Sequence, residues 1–248
     1  MLFDFDYIHV KEIDSTNNFA LNYITKTNPK DGFCIFTDYQ TAGKGQYGRQ
    51  WESNSGQNLL CSIILKPSNL KIENLFELHV ITSLAIFKTL NDLSIKELKI
   101  KWPNDIFVGN NKIAGILIQN VIRGTKLVSS IIGIGLNVNQ LEFNTNNLVS
   151  SIKNEIGNDI EIRPLLAILH KNLMYYYDIL KNTIHDQLLK EYNDHLYNKN
   201  MEIQFKTKTD ELRKGKLVGV NTIGQLIIYT VDKLLIFDFG EVDIVYVK

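Results

Sequence analysis

The sequence predicts an α+β protein: a mixed sheet flanked by helices, with a small all-β unit appended at the C-terminal end. Strand-sized apolar runs and helix-length periodic segments alternate through the first 198 residues. After that the texture changes to short alternating pieces cut by turns, between residues 201 and 248. A chain of 248 residues is long enough for one large domain plus one small one. The expected boundary falls in the polar "NKN" near 198–200, giving domains 1–198 and 199–248.

The elements follow in order. "YIHVKEI" at 7–13 alternates like a strand. Asp14 and Ser15 are helix caps ahead of Phe19, Ala20, Tyr23 and Ile24 at helical spacing. "GFCIFTDY" at 32–39 and "LLCSIIL" at 59–65 read as strands, and 74–91 as a buried helix. Four strand-like pieces come next, "ELKIKW", "DIFVGN", "KIAGILIQNV" and "KLVSSIIGIGLNV", with a hairpin turn "GNNK" at 109–112. Pro164 suits a helix first turn, followed by Leu165, Leu166, Ile168, Leu169, Leu173 and Met174. A second helical stretch runs to about Tyr197. "MEIQFKT", "KLVGV", "QLIIYT", "KLLIFDF" and "DIVYVK" then predict a small closed sheet of about five strands.

Bulk properties exclude several classes. Lys plus Arg equals Asp plus Glu, 27 each, so no long-range field favours nucleic acid or an acidic membrane. The two cysteines, Cys34 and Cys61, form no C-x-x-C pair and read as small apolar core residues. The start, "MLFDFDYIHV", has two aspartates and no basic region, so it is not a secretory signal. The longest apolar runs are too short to cross a bilayer. A cytoplasmic location is the expectation.

"TAGKGQYGRQW" at 41–51 carries Gly43, Gly45 and Gly48 on the spacing G-x-G-x-x-G. A dinucleotide fingerprint requires those glycines to open a helix, with an acidic residue about 20 positions on. Here "RQWESNSGQN" is polar and turn-like, and residue 68 is a serine. Nor does Lys44 sit in a P-loop pattern. What remains is a long loop between strands, with glycines that let backbone approach a ligand and with Lys44, Arg49 and Trp51 beside them. Lys and Arg neutralise phosphate or carboxylate.

Other segments share this character. "KWPNDI" at 101–106 sets Lys101, Asn104 and Asp105 around a Trp-Pro pair at a strand end. Lys112 leads the apolar "KIAGIL", and "GIGLNVN" places Gly133, Gly135 and Asn137 in one strand. A strand asparagine must find hydrogen-bond partners if buried. Taken in order, "DSTN", "YQTAGKGQYGRQW", "KWPND", "KIAGIL" and "GIGLNVN" resemble the signature of the biotin protein ligases, also called biotin–acetyl-CoA-carboxylase ligases. "DSTN" begins only 14 residues in, so the resemblance is to the short form, without an N-terminal winged-helix DNA-binding domain.

The resemblance implies a catalytic domain similar to that of class II aminoacyl-tRNA synthetases plus an SH3-like β-barrel. It implies that biotin reacts with ATP to give biotinyl-5′-AMP, and that a lysine of the biotin carboxyl carrier protein of acetyl-CoA carboxylase then takes the biotinyl group. Mg²⁺ would screen the triphosphate. For biotin it implies Ser15, Thr16, Asn17 and Gln40 at the ureido ring, with Gly115, Leu117 and Gly133 flanking it. Gly43, Lys44, Gly45 and Gln46 would wrap the valeryl chain and carboxylate. Lys112 would sit at the reacting carboxylate and α-phosphate, with Lys44 and Arg49 as further catalytic cations. Arg49, Trp51, Lys101, Asn104 and Asn137 would serve ATP, and Asp105 a metal. Members of the family often pair as dimers by joining sheet edges, so the resemblance allows a homodimer; no nucleic-acid or membrane partner is expected. The family loop is commonly G-R-G-R-x-G-R-x-W, and here Lys44 and Gln46 replace its first two arginines. Lipoate or octanoate ligases and transferases are the nearest alternative, but their R-R-x-[ST]-G-G-G pattern is absent. A biotin-sensing DNA-binding repressor is the alternative of another class, disfavoured by zero net charge.

Overall fold

The computed structural model describes residues 3–145, 148–182, 185–208 and 211–245. The chain runs β1 (Tyr7–Ile13), α1 (Thr16–Lys26), β2 (Phe33–Gln40), β3 (Asn58–Leu65) and α2 (Phe76–Asp92). It continues through β4 (Leu98–Lys101), β5 (Asp105–Val108), β6 (Asn111–Arg123) and β7 (Lys126–Asn137). Three helices follow, α3 (Ile152–Ile156), α4 (Ile162–Lys181) and α5 (His185–Asp194). The last strands are β8 (Glu202–Thr207), β9 (Leu212–Val220), β10 (Leu226–Tyr229), β11 (Leu234–Phe237) and β12 (Val242–Val245).

Seven strands form a mixed sheet in the order β1-β2-β3-β7-β6-β5-β4. Only β1–β2 is parallel; every other pair is antiparallel. All eight residues of β3 are buried, because helices cover the sheet's two faces at this strand. On one face Cys61, Ile63 and Leu65 join the large core built with α2, α4 and α5. On the other, Ile64 packs with Phe33, Ile35, Ile131 and Ala20 of α1. Helix α1 starts where Ser15 takes an extended conformation and its side chain accepts from the Asn18 N–H. It covers only part of its face. Gly133 and Gly135 lie further along β7 on that same face, opposite Leu117 and Gly115 of β6.

Pro164 lies in the first turn of α4, where its missing N–H costs nothing. The second helical stretch ends at Asp194, three residues short of the expected Tyr197, and α3 was not foreseen: five residues are too few to show a period. Both cysteines are buried and free. Among the described residues, no helix is long and apolar enough to cross a membrane.

The second sheet has five antiparallel strands in the order β11-β10-β9-β8-β12. Its core residues Phe205, Leu217, Val220 and Val242 belong to the same apolar cluster as Phe76 and Tyr192 of the helices. Trp102 Nε1 donates to Gly224 O at 2.9 Å, across 122 residues. Gly224 has φ +90°, and a Cβ there would come within 2.5 Å of the Phe76 ring, so only glycine fits this contact.

Candidate active site

The glycine face of β6 and β7 opens into a cleft of about 810 Å³. Its floor is low because three positions lack side chains. A Cβ at Gly135 would come within 2.4 Å of the Trp51 indole, and one at Gly115 within 2.8 Å. A Cβ at Gly133 would come within 2.3 Å of Asn17 Oδ1. These glycines admit close approach of other groups rather than special backbone angles.

The loop singled out in the sequence is a narrow hairpin. Lys44 bridges Gln50 across it. The Gly45 N–H donates to Arg49 O at 2.7 Å, and the Trp51 N–H to Gly43 O at 3.0 Å. A 3-10 turn, Gln46–Gly48, forms its tip, with Tyr47 at φ 52° and Gly48 at φ 74°. The hairpin lays Trp51 on the glycine floor and carries Lys44 and Arg49 to the cleft wall.

The opposite wall is the turn between β4 and β5 together with the start of β6. Lys112 Nζ lies 2.7 Å from Asp105 Oδ1 and 5.4 Å from the centre of the Trp51 ring. Lys101 Nζ stands 4.6 Å from the Phe107 ring centre. Burial lowers the Lys101 pKa; Asp105 partly opposes this, while Lys112 and Arg49 add to it. Those influences mark one electrostatic cluster of three cations and one carboxylate, suited to an anion of more than one charge.

At the α1 end, the Thr16 N–H and hydroxyl both donate to Gln40 Oε1, at 2.8 and 3.1 Å. Asn17 Nδ2 donates to Leu117 O at 3.1 Å and Gln119 Oε1 at 3.0 Å; its Oδ1 accepts from the Ser62 hydroxyl at 2.6 Å. Lys44 Nζ donates to Asn18 Oδ1 at 2.9 Å, joining the hairpin to α1. Asn18 also hydrogen-bonds the Asp14 carboxylate, the main cause of its lowered pKa.

The fold therefore brings together nearly every residue singled out above. Ser15, Thr16, Asn17, Gln40, Lys44, Gly45, Gln46, Arg49, Trp51, Lys101, Asn104, Asp105, Lys112, Gly115, Leu117, Gly133 and Asn137 all line the one cleft. Gly43 does not; it lines an adjoining cavity of about 650 Å³ behind the hairpin. Trp51, expected with the nucleotide residues, lies against Gly115 and Lys112, which were expected at biotin. The Asn104 amide donates to Ile116 O at 3.0 Å and the Asn137 amide to Ser150 O at 2.9 Å, so both side chains brace the cleft frame. Asp105, which the resemblance sets near a metal, faces Lys112, and the described residues contain no cluster of three His, Cys, Asp or Glu.

Sequence reasoning missed the second sheet's share of the cleft: Phe239, Gly240, Val242, Asp243 and Ile244 line it. "FGEVDI" reads locally as any turn between short strands, and nothing in it signals contact with residue 47. Tyr47 falls on the variable position of the family's glycine loop, where the pattern specifies no residue.

A sequence profile of the biotin/lipoate A/B protein ligase family matches residues 10–137, which hold these motifs except the last two residues of "GIGLNVN". The bifunctional ligase/repressor BirA of Bacillus subtilis is 31% identical over 129 residues, 52% of this chain and 39% of that protein. The biotin–[acetyl-CoA-carboxylase] ligase of Mycobacterium tuberculosis is 28% identical over 134 residues, 53% of this chain and 48% of that protein. The chain thus spans less than half the length of either relative. Among solved structures, the Aquifex aeolicus biotin protein ligase in complex with biotin and ATP superposes with TM-score 0.80 at 26% identity, covering 96% of this chain and 98% of that one. The Helicobacter pylori biotin acetyl coenzyme A carboxylase synthetase shares the fold, with TM-score 0.65 at 21% identity, covering 94% and 100%. With its motifs gathered in one cleft and the profile matched over more than half its length, the chain belongs to the biotin/lipoate A/B protein ligase family.

Proposed function

We propose that this protein is a biotin protein ligase. The observation that carries the reading is the cation cluster at the end of a glycine floor: Lys112, Lys101 and Arg49 grouped at the Trp51 wall. A carboxylate and a triphosphate repel one another, and fixed cations in a partly enclosed cleft lower the cost of bringing them together. Biotin's carboxylate oxygen attacks the α-phosphorus of ATP; the bond to the β-phosphate oxygen breaks, and pyrophosphate leaves. The amine of the acceptor lysine then attacks the acyl carbon, an amide forms, and AMP leaves with the bonding pair. Lys112, beside Gly115, stabilises charge at the reacting carboxylate and α-phosphate. The floor glycines let the Trp51 indole lie flat on the sheet as one side of the space for biotin's bicyclic ring, and Arg49 and Lys101 face the phosphates. Mg²⁺ enters as part of the nucleotide substrate, held by phosphate oxygens.

The named relatives favour biotin over lipoate as the acid. The acceptor in this reading is the carboxyl carrier protein of acetyl-CoA carboxylase, and the site of action is the cytoplasm. A pairing of two copies through sheet edges belongs to the same reading. Mass spectrometry of a carrier domain, after incubation with the protein, ATP and biotin, tests the proposal. A gain of one biotinyl group on a single lysine is expected. Transfer of lipoate or octanoate instead, or of neither acid, overturns it.

A further inference from the structure

Tyr47 is the one aromatic residue at the tip of the hairpin, and its side chain is 71% exposed. Its ring centre lies 5.9 Å from that of Phe239. A Cβ on Gly240 would stand 3.1 Å from the Tyr47 hydroxyl oxygen, so this glycine lets the phenol lie close above it. A non-glycine residue at φ 52° is strained by about 1 kcal/mol, a cost that needs a contact to offset it.

Phe239 has other neighbours. It packs edge-on against Trp102 at 5.3 Å and lies 6.5 Å from His79. Trp102 opens the turn that carries Asn104 and Asp105 and is pinned through Nε1 to Gly224. One ring of the second sheet therefore touches the hairpin tip and also the turn that follows Lys101. The residue before Tyr47, Gln46, carries no charge that could draw the tip toward an anion.

We propose that Tyr47 is a positioning residue whose docking on Phe239 and Gly240 seats the hairpin over the cleft. Lys44, Arg49 and Trp51 are thereby set in place before any substrate binds, and the second sheet is the hairpin's seat. The consequence for catalysis rests on the biotinylation reading; the docking itself does not.

The test begins without substrates. Trypsin cuts after Lys44 and Arg49, on either side of Tyr47, and mass spectrometry follows both cuts in the full chain. An aromatic contact of ordinary strength predicts digestion of Tyr47→Ala about 2–10-fold faster than the unaltered protein, with Tyr47→Phe close to unaltered. Phe239→Leu should act in the same direction, and the double variant should be no more digestible than Tyr47→Ala alone, because the two changes remove one contact. With biotin and ATP, Tyr47→Ala should raise KM by a similar factor while kcat holds, the signature of lost pre-organisation. Unchanged digestion of Tyr47→Ala, additive effects in the double variant, or a fall in kcat at constant KM overturns the proposal. Failure of the unaltered protein to transfer biotin would instead overturn the functional reading and leave the digestion result to stand.

Discussion

Lys112 Nζ lies 2.7 Å from Asp105 Oδ1, and the two side chains are only 30% and 19% exposed. Their strands pair so that Asp105 stands opposite Gly115 and Lys112 opposite Phe107, with a register shift between Ile106 and Phe107. Without that shift the lysine and the carboxylate would not share one wall of the cleft. A cation so held is oriented before an anion arrives.

Lys112→Ala should leave the fold intact and slow adenylation by about 10²–10³-fold, the usual cost of removing one fixed group that stabilises developing charge. Biotin-dependent pyrophosphate release measures it. Release near the unaltered rate would show that Lys112 has another role.

Gly135→Ala places a methyl where the Trp51 indole now lies, 2.4 Å from the ring. The indole must move off the floor. Destabilisation of about 1–3 kcal/mol is expected, with a change in tryptophan fluorescence and loss of biotin uptake by calorimetry. Retained uptake with unchanged fluorescence would mean that the floor tolerates a side chain.

Asn17→Ala removes a buried amide with three hydrogen bonds, to Leu117 O, Gln119 Oε1 and the Ser62 hydroxyl. Urea unfolding should show a loss of about 1–3 kcal/mol. A loss of biotin affinity at unchanged stability would instead assign Asn17 to direct ligand contact.

Acid should weaken the joint between the two sheets. His79 packs on Phe76 and near Phe239, and burial lowers its pKa from 6.5 to about 4. The folded state thus favours the neutral ring, and the unfolded chain binds the proton more readily. Stability is full above pH 6.5 and falls as pH drops from 6.5 toward 4, by up to about 3 kcal/mol. Burial lowers His170 and His195 too, which adds in the same direction. His79→Phe should flatten part of the slope in urea midpoints measured between pH 7 and 4. An unchanged slope would remove His79 from the account.

Gln46→Arg should restore a charge on the hairpin and reduce release of biotinyl-5′-AMP in a filtration assay. Equal release by both proteins would mean that the hairpin's hold on the intermediate does not depend on that charge.

Local pattern went far here. The period-2 runs marked the strands, and Ser15 marked the start of α1, because cap and pleat are set by neighbours in the chain. Five motifs named the family and most of the cleft lining, but not the residues that the 143–149 segment and the second sheet add. Three outcomes were decided only in the folded protein. Asp105 faces Lys112 through a register shift; Asn17, Asn104 and Asn137 have amides engaged by the frame; and Phe239 and Gly240 reach Tyr47 across nearly 200 positions. Each depends on which surfaces meet when apolar area is buried, and that is a property of the packed chain rather than of any stretch of it.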